Sequence, residues 1–143
     1  IRDSSMMVND QMPEYCVDRA ARVLNESEKS LKGADVLVLG VAYKQDIDDY
    51  RESPALRVIE CLEKRGANVS FYDPWVAEYR YKGDTKQSIP ALTEEALSGA
   101  DLVMVTCAHT NVDYDFVQQH AKAIFDTKNA MKGVEVRDNI EVL

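Results

Sequence analysis

The stretch DVLVLGVAYKQDIDDYRESP, residues 35–54, decides the fold. Its first seven residues form a nearly continuous apolar run, which is typical of a strand covered on both faces of a parallel sheet. A polar loop follows. Ser53-Pro54 then predicts a helix start, because serine is a favoured N-cap and proline a favoured first helical residue. The stretch therefore predicts one buried strand, one loop and one helix.

Hydrophobic spacing extends this pattern downstream. Apolar residues recur at the spacing of one helix face: Ala55, Val58, Ile59 and Leu62. Gly66 marks the end of that helix, and a second strand follows at residues 68–73, closed by Pro74. Strand, helix and strand together have the size of a right-handed βαβ unit.

The rest of the chain repeats the pattern less regularly. We predict a helix capped by Thr93 and ending at Gly99, a strand at 101–107, a helix at 114–122, a strand at 123–126 and an edge strand at 134–136. Residues 75–90 are polar and tyrosine-bearing, and we predict that they form a connection.

Residues 9–30 precede the decisive stretch and also predict a helix. Apolar side chains recur every four residues, at Met12, Cys16, Ala20 and Leu24. Pro13 either opens this helix or kinks a longer one, and Lys32-Gly33 ends it. The whole pattern predicts a Rossmann-like, doubly wound α/β domain with a mainly parallel sheet at residues 33–143, preceded at residues 1–32 by a helix of a neighbouring domain.

Composition excludes several classes of protein. The 143 residues carry a formal net charge of −8, which disfavours general nucleic-acid binding because a phosphate backbone requires a positive field. The sequence has no apolar run of membrane-spanning length and no signal-peptide pattern. Its three widely spaced cysteines, Cys16, Cys61 and Cys107, fit reduced thiols in a cytoplasmic protein. The chain opens on what reads as mid-domain sequence, so we expect further sequence upstream.

The loop after the first strand is the predicted ligand site. Ligands of open α/β sheets bind beyond the carboxyl ends of the strands. This loop carries Lys44 and Arg51 in an acidic chain, and it leads into a helix N-terminus, which favours anions. The dinucleotide fingerprint G-x-G-x-x-G is absent because Gly40 stands alone, and Asp73 is more simply a strand-end cap before Pro74 than a ribose ligand. The loop therefore predicts a phosphorylated ligand rather than NAD.

The sequence resembles the UDP-glucose/GDP-mannose dehydrogenase family. The resemblance is carried by GVAYKQDIDDYRESPAL at residues 40–56, followed by Tyr72-Asp73-Pro74. NDQMP at residues 9–13 resembles the connecting helix of that family, and Ala108-His109 resembles a later strand end. The amino-acid sequence is most similar to those of bacterial 6-dehydrogenases acting on UDP-N-acetylhexosamines, that is, on UDP-N-acetylglucosamine or UDP-N-acetylmannosamine.

The resemblance implies a role in a larger oxidoreductase. Members oxidise the C6 alcohol of a nucleotide sugar to a carboxylate with two NAD, for polysaccharide biosynthesis. An N-terminal Rossmann domain holds NAD, a central helical segment carries the catalytic cysteine and lysine, and the C-terminal domain closes over UDP. Only that last part is matched, since no Gly-x-Cys-x-x-Lys-Asp stretch is present. The resemblance thus implies a UDP-sugar-binding domain that is inactive alone, from a cytoplasmic homodimer.

The resemblance also implies which residues bind ligands. Lys44 and the backbone of Tyr43 match positions that contact the nucleotide part of the substrate. Arg51 matches an arginine that reaches towards NAD in the other domain. Lys128 stands where the family often has a substrate-binding arginine, and lysine supplies a point charge instead of a bidentate fork.

These residues also have simpler structural interpretations. Lys44 can be a solvated loop lysine, and Arg51 can pair with one of three loop aspartates. Those aspartates are Asp46, Asp48 and Asp49. Carboxylates attract divalent metals, but the neighbouring cations supply the neutralising charge here, so we predict no metal site.

The role of the two histidines and the function of the whole chain each have an alternative interpretation. His109 and His120 lack a third ligand at suitable spacing, which favours strand-end and helix-surface roles over metal binding. The alternative function is a free-standing Rossmann-like interaction or regulatory module without activity. The first helix discriminates between the two functions, because a domain separated from a longer enzyme should expose its apolar face and self-associate.

Overall fold

A computed structural model describes the backbone of residues 2–143 and the side chains of residues 12–143. Its four helices are α1 (Arg2–Glu26), α2 (Pro54–Lys64), α3 (Glu94–Ser98) and α4 (Tyr114–His120). Its strands are β1 (Asp35–Leu39), β2 (Asn68–Tyr72), β3 (Glu78–Tyr81), β4 (Asp84–Gln87), β5 (Leu102–Val105), β6 (Ile124–Asp126) and β7 (Ile140–Val142).

The five strands of the main sheet run parallel in the order β2-β1-β5-β6-β7. The chain adds β2 on one side of β1 and then crosses to add β5, β6 and β7 on the other side. The strand order therefore reverses between β1 and β5, and the carboxyl ends of these two strands form the switch point where such sheets bind ligands. The prediction of a Rossmann-like, mainly parallel α/β fold is confirmed.

The two central strands are buried on both faces, as their apolar runs predict. One face of the sheet, with Val38 and Met104, packs into a core shared with α1 and α2. The opposite face, with Leu39 and Val105, packs against Leu97 of α3 and Val117 of α4. Side chains alternate between the faces of a strand, so a strand between two cores must be apolar throughout.

The first helix is longer at its start and shorter at its end than the sequence predicted. Pro13 lies inside α1, so the helix reaches this residue from upstream; the side chains of Asn9 to Gln11 lie outside the described residues. The predicted end at Lys32-Gly33 is wrong. Glu28 has a φ of 60°, and its N–H donates to the Asn25 carbonyl while Lys29 N–H donates to the Leu24 carbonyl. This Schellman motif ends the helix at Glu26 without a glycine.

The apolar face of α1 is buried, contrary to the expectation of an exposed stripe. Cys16, Val17, Ala20 and Leu24 belong to the core that α1 shares with α2 and the sheet. Self-association through this face is therefore not expected, and the helix does not discriminate between a domain of a longer enzyme and a free-standing module. In the described part of the chain, no helix combines the length and the apolar character needed to cross a membrane.

Two further predictions are corrected by the structure. The connection at residues 75–90 contains an antiparallel hairpin, β3-β4, whose Tyr79 packs on Phe71 with ring centroids 5.1 Å apart. The predicted edge strand at residues 134–136 is wrong, because the Arg137 guanidinium donates to the carbonyls of Met131 and Val134 and these residues form a bend outside the sheet. The edge of the sheet is β7 instead.

Candidate functional site

The switch point is closed tightly around Gly40, the residue after β1. Gly40 has a φ of 90°, and a Cβ at this position would lie 2.5 Å from the Cβ of Cys107 and 2.7 Å from its carbonyl oxygen. The Thr106 hydroxyl donates to the Gly40 carbonyl. Glycine is therefore needed here so that the loop after β1 can lie directly against the end of β5.

Asp73 holds the loop after β1 and the turn after β2 together. One carboxylate oxygen accepts the N–H groups of Val41 and Ala42, at 2.8 and 3.2 Å, and the other accepts those of Trp75 and Val76, at 2.7 and 3.1 Å. Burial raises the pKa of this carboxyl, but hydrogen bonds from His109 and from the backbone outweigh it, so the pKa lies below its ordinary value. The strand-end capping role predicted for Asp73 is confirmed.

His109 continues this network from the segment after β5. Its side chain is buried, with 1% of its residue surface exposed, and its Nε2 lies 2.9 Å from Asp73 Oδ2. The backbone N–H of Asp46 donates to His109 Nδ1 over 2.8 Å. A nitrogen that accepts a hydrogen bond carries no proton, so Nε2 carries the hydrogen and donates it to Asp73.

Two effects oppose each other at the His109 ring. Burial is the largest single effect and lowers the pKa of His109, but the hydrogen bonds and charges of Asp73 and Cys107 together raise it to about 9. Protonation of Nδ1 would, however, remove the acceptor of the Asp46 N–H, and this bond favours the neutral ring. We assign the neutral form with hydrogen on Nε2, because that form satisfies both observed contacts.

Asp46 is fixed by its neighbours and is not free to bind a metal. Its carboxylate accepts the N–H and the hydroxyl of Thr110, at 2.9 and 2.7 Å, and these bonds hold the pKa of Asp46 below its ordinary value. Asp49 is likewise occupied by Arg51. Among the described residues, no group of three or more potential ligands is arranged to hold a metal ion.

Tyr43 and Lys44 project from the same loop into solvent. The Tyr43 N–H donates to the Asp49 carbonyl over 2.7 Å, which closes the loop on itself, while 52% of the Tyr43 surface is exposed. The side chain of Lys44 is exposed and has no hydrogen bond or ion pair with any residue that the structure describes. Its charge is therefore not neutralised within the loop.

Arg51 pairs with Asp49 at the end of this loop. Its Nε and Nη2 donate to the two carboxylate oxygens over 3.1 and 3.2 Å, and Arg51 is the main cause that lowers the pKa of Asp49. Tyr43, Asp49, Arg51 and Glu52 line one shallow depression. The loop-bracing role considered for Arg51 is thus observed, and the guanidinium remains largely exposed.

Lys128 lines a separate cleft of about 290 Å³ at the same edge of the sheet. The cleft is bounded by the first residues of α2, by Thr106 after β5 and by Thr127 after β6, with Cys16 of α1 on an apolar wall. The buried Asp126 carboxylate accepts the Lys128 N–H over 3.0 Å and so shapes the turn that carries the ammonium group. Burial is the main cause that raises the pKa of the Cys16 thiol, which argues against a reactive thiolate there.

A larger depression at the amino edge of the sheet does not fit a phosphorylated ligand. It has a volume of about 730 Å³ and is lined by the carboxylates of Asp35, Glu63 and Glu95. No Lys or Arg is found among the described residues that line it. Glu63 is paired with Lys86, but Asp35 and Glu95 have no ion-pair partner among the described residues and would repel a diphosphate, so the carboxyl edge with Lys44 and Lys128 is the better site.

All four predicted site residues lie on loops at the carboxyl edge, but they do not form one compact cluster. Tyr43 and Arg51 share a depression, Lys128 lines the separate cleft, and Lys44 projects from the loop between β1 and α2. Sequence reasoning missed the Asp46–His109–Asp73 network and the hydroxyls of Thr106 and Thr127. The resemblance at Ala108-His109 was a signal for part of it.

Comparisons with known proteins identify the family. Residues 37–133 match the UDP-binding domain of the UDP-glucose/GDP-mannose dehydrogenase family. A UDP-N-acetyl-D-mannosamine dehydrogenase of Methanococcus maripaludis is 31% identical over 134 residues, which are 87% of this chain and 29% of that protein. A UDP-glucose 6-dehydrogenase of Rickettsia bellii is 29% identical, covering 95% of this chain and 32% of that protein.

Solved structures give the same result for the fold. The structure of a UDP-D-ManNAc dehydrogenase from Pyrococcus horikoshii matches with a TM-score of 0.77 at 26% identity, over 95% of this chain and 31% of that one. The chain thus spans about a third or less of the relatives it matches. Since the family match extends over most of its length, the chain belongs to the UDP-glucose/GDP-mannose dehydrogenase family and contains the UDP-binding domain of that family.

Proposed function

We propose that this chain is the UDP-sugar-binding part of an NAD-dependent nucleotide-sugar 6-dehydrogenase. In this proposal residues 33–143 are the binding domain, and residues 1–32 are the end of a central linking helix. The substrate is a UDP-hexose or a UDP-N-acetylhexosamine, which the whole enzyme oxidises to the uronic acid for polysaccharide biosynthesis. The whole enzyme acts in the cytoplasm as a homodimer.

One observation carries this proposal, namely that two exposed lysines, Lys44 and Lys128, lie on loops at the switch-point edge without an ion-pair partner among the described residues. Lys44 is unpaired among the described residues, and Lys128 lies at a cleft that is bounded by the first turn of α2. A helix N-terminus favours anions, and an ammonium group supplies the charge that a phosphate oxygen requires. A diphosphate in this cleft would therefore meet the Lys128 ammonium group and the N-terminus of α2, with Lys44 on the neighbouring loop, although the chain is acidic overall.

The size of the cleft limits how much of the ligand it takes. Small-molecule sites span about 300–1,000 Å³, and a cleft of about 290 Å³ accommodates only part of a nucleotide sugar. The sugar would then extend out of the cleft, towards the rest of the enzyme. The contribution of this chain is to hold UDP in a fixed position and so to orient C6 of the sugar for oxidation elsewhere.

The residues of this chain do not fit a complete NAD site. A dinucleotide fold uses glycines after its first strand so that the backbone can approach the pyrophosphate. Here the space beside Gly40 is filled by Cys107, and no second glycine follows in the loop. In the proposed enzyme NAD supplies the oxidation and is bound by another part of the protein, with Arg51 reaching towards it.

Isothermal titration calorimetry with UDP tests the proposal. Wild type should bind UDP, and Lys44→Ala and Lys128→Ala should each raise Kd by about tenfold or more, the change expected when a charge-assisted hydrogen bond of about 1.5–3 kcal/mol is lost. Lys122→Ala is the matched control, because it removes the same charge from the segment before β6, near Asp101 at the amino edge of the sheet.

Two results would contradict the proposal. The first is a wild-type chain that folds but takes up no UDP. The second is a Lys44→Ala chain whose affinity equals that of Lys122→Ala.

A further inference from the structure

We propose that His109 is a positioning residue for UDP binding, acting through the loop that carries Tyr43 and Lys44. This inference rests on the proposed function, since it concerns the same site. His109 does not reach solvent, and it contacts the loop at Asp46, whose backbone N–H donates to Nδ1 and whose carboxylate lies 3.9 Å from the same nitrogen. It therefore acts on the position of the ligand-binding groups and not on the ligand.

One side of His109 is fixed to the sheet. Its Nε2–H donates to Asp73, whose carboxylate is anchored at the same time by backbone N–H groups from the ends of β1 and β2. These contacts leave the imidazole ring one orientation, with Nδ1 directed at the loop. His109 therefore connects a rigid part of the fold to a solvent-exposed segment.

The other side of His109 holds a residue in an unfavourable backbone conformation. Asp46 has a φ of 60°, in the left-handed region that non-glycine residues avoid unless neighbouring groups stabilise it. Its N–H is bound by His109 and its carboxylate by Thr110, so two consecutive residues after β5 fix both ends of Asp46. Without these bonds Asp46 would relax to other conformations.

The position of Lys44 depends on this arrangement. The side chain of Lys44 has no partner in the described structure, so the loop backbone alone limits the region that its ammonium group can reach. Asp46 is two residues away, and the loop is closed by the bond from Tyr43 N–H to the Asp49 carbonyl. A loop released at Asp46 would sample several positions, and UDP would have to bind the fraction that is competent, which lowers its apparent affinity.

Variants of His109 and Thr110 test this inference in the 143-residue chain. His109→Leu removes both ring contacts at similar volume, and we expect Kd for UDP to rise about tenfold. His109→Gln offers an amide donor and an amide acceptor, so it should recover part of the affinity. Thr110→Val removes one bond to Asp46 on the exposed surface and should raise Kd about threefold, whereas Thr110→Ser keeps the hydroxyl and should bind like wild type.

Amide hydrogen exchange separates positioning from a general loss of stability. In His109→Leu and Thr110→Val, exchange should accelerate at residues 44–47 and stay unchanged in β1 and β5 when the chains are studied well below their unfolding temperature. Titration stoichiometry reports the folded fraction. If His109→Leu does not fold, the Thr110 pair decides the question on its own.

The outcomes distinguish the two proposals. Suppose that wild type binds UDP and that His109→Leu and Thr110→Val bind it with wild-type affinity. The positioning role is then wrong and the binding function stands. Where His109→Leu does not fold, wild-type affinity of Thr110→Val alone gives the same conclusion. If wild type does not bind UDP, the proposed function fails, and the positioning role fails with it. Uniformly faster exchange across the sheet would also overturn the inference, because it would assign His109 to global stability.

Discussion

The carboxylate of Asp73, at the end of β2, accepts the backbone N–H of Val41, at the end of β1, over 2.8 Å. The two residues follow adjacent parallel strands, and the bond extends the connection between these strands past the last ladder pair, Leu39 with Tyr72. Parallel strands diverge into separate loops at this edge. A single buried side chain thus fixes the start of the loop that carries the candidate ligand-binding lysine.

We expect Asp73→Asn to destabilise the fold strongly. The amide keeps one acceptor oxygen but turns an NH2 group towards backbone N–H groups that then lose their partner. The loss of partners for buried donors predicts a decrease of about 3 kcal/mol in the free energy of unfolding. Urea denaturation measures it, with Asp138→Asn as the control at an exposed acid. Equal stability of the two variants would show that the Asp73 network contributes little.

The same residue predicts a specific dependence of stability on pH. The folded pKa of Asp73 lies below its ordinary value of 3.8, so the unfolded chain takes up a proton first as the pH falls. The stabilisation from Asp73 is therefore complete above 3.8 and is lost as the pH falls through the lower folded pKa. Wild type should lose stability there faster than Asp73→Asn, and urea midpoints across this range measure the difference. Parallel curves would contradict the assignment.

Gly40→Ala tests the close approach of β1 and β5. A left-handed backbone costs a non-glycine residue about 1–2 kcal/mol, and the clash with Cys107 adds about 1–3 kcal/mol. Gly83→Ala is a matched control, since Gly83 has a φ of 85° but no atom within 4 Å of the added Cβ. Urea denaturation should therefore give a clearly larger loss for Gly40→Ala. Similar losses would mean that Cys107 moves aside at little cost.

The central strands and α2 could be predicted because their local signals agree with their tertiary environment. β1 and β5 read as continuous apolar runs and lie between two cores, and Ser53-Pro54 gives the start of α2 by itself. The hairpin β3-β4 escaped prediction because its strands are polar. Its turn is Lys82-Gly83, with φ values of 50° and 85°, where asparagine-glycine would have been the usual signal.

The site was predicted in part for a similar reason. Lys44 and Arg51 lie in one contiguous stretch, whose place after a buried strand indicates a ligand loop. The contact of Asp46 with His109 joins residues that are 63 positions apart, and it depends on the crossover that brings β5 beside β1. No local spacing encodes such a pair. His109 was therefore predicted as a strand-end residue, and its contact with the loop came only from the structure.

Lys128→Arg provides the last prediction, because the family resemblance implies a substrate-binding arginine at the position where this chain has lysine. Lys128 is exposed and lines the cleft together with the hydroxyl-bearing Thr106 and Thr127, and the open cleft leaves room for a guanidinium. A guanidinium can donate two parallel hydrogen bonds to a phosphate, whereas an ammonium acts as a point charge. We expect Lys128→Arg to bind UDP at least as tightly as wild type, and Lys128→Ala to bind about tenfold more weakly.

Calorimetry with uridine as a second ligand completes the test, since the three chains should bind uridine alike if residue 128 contacts phosphate. An arginine variant as weak as the alanine variant would show that Lys128 has a packing role in the cleft, and that the diphosphate lies elsewhere.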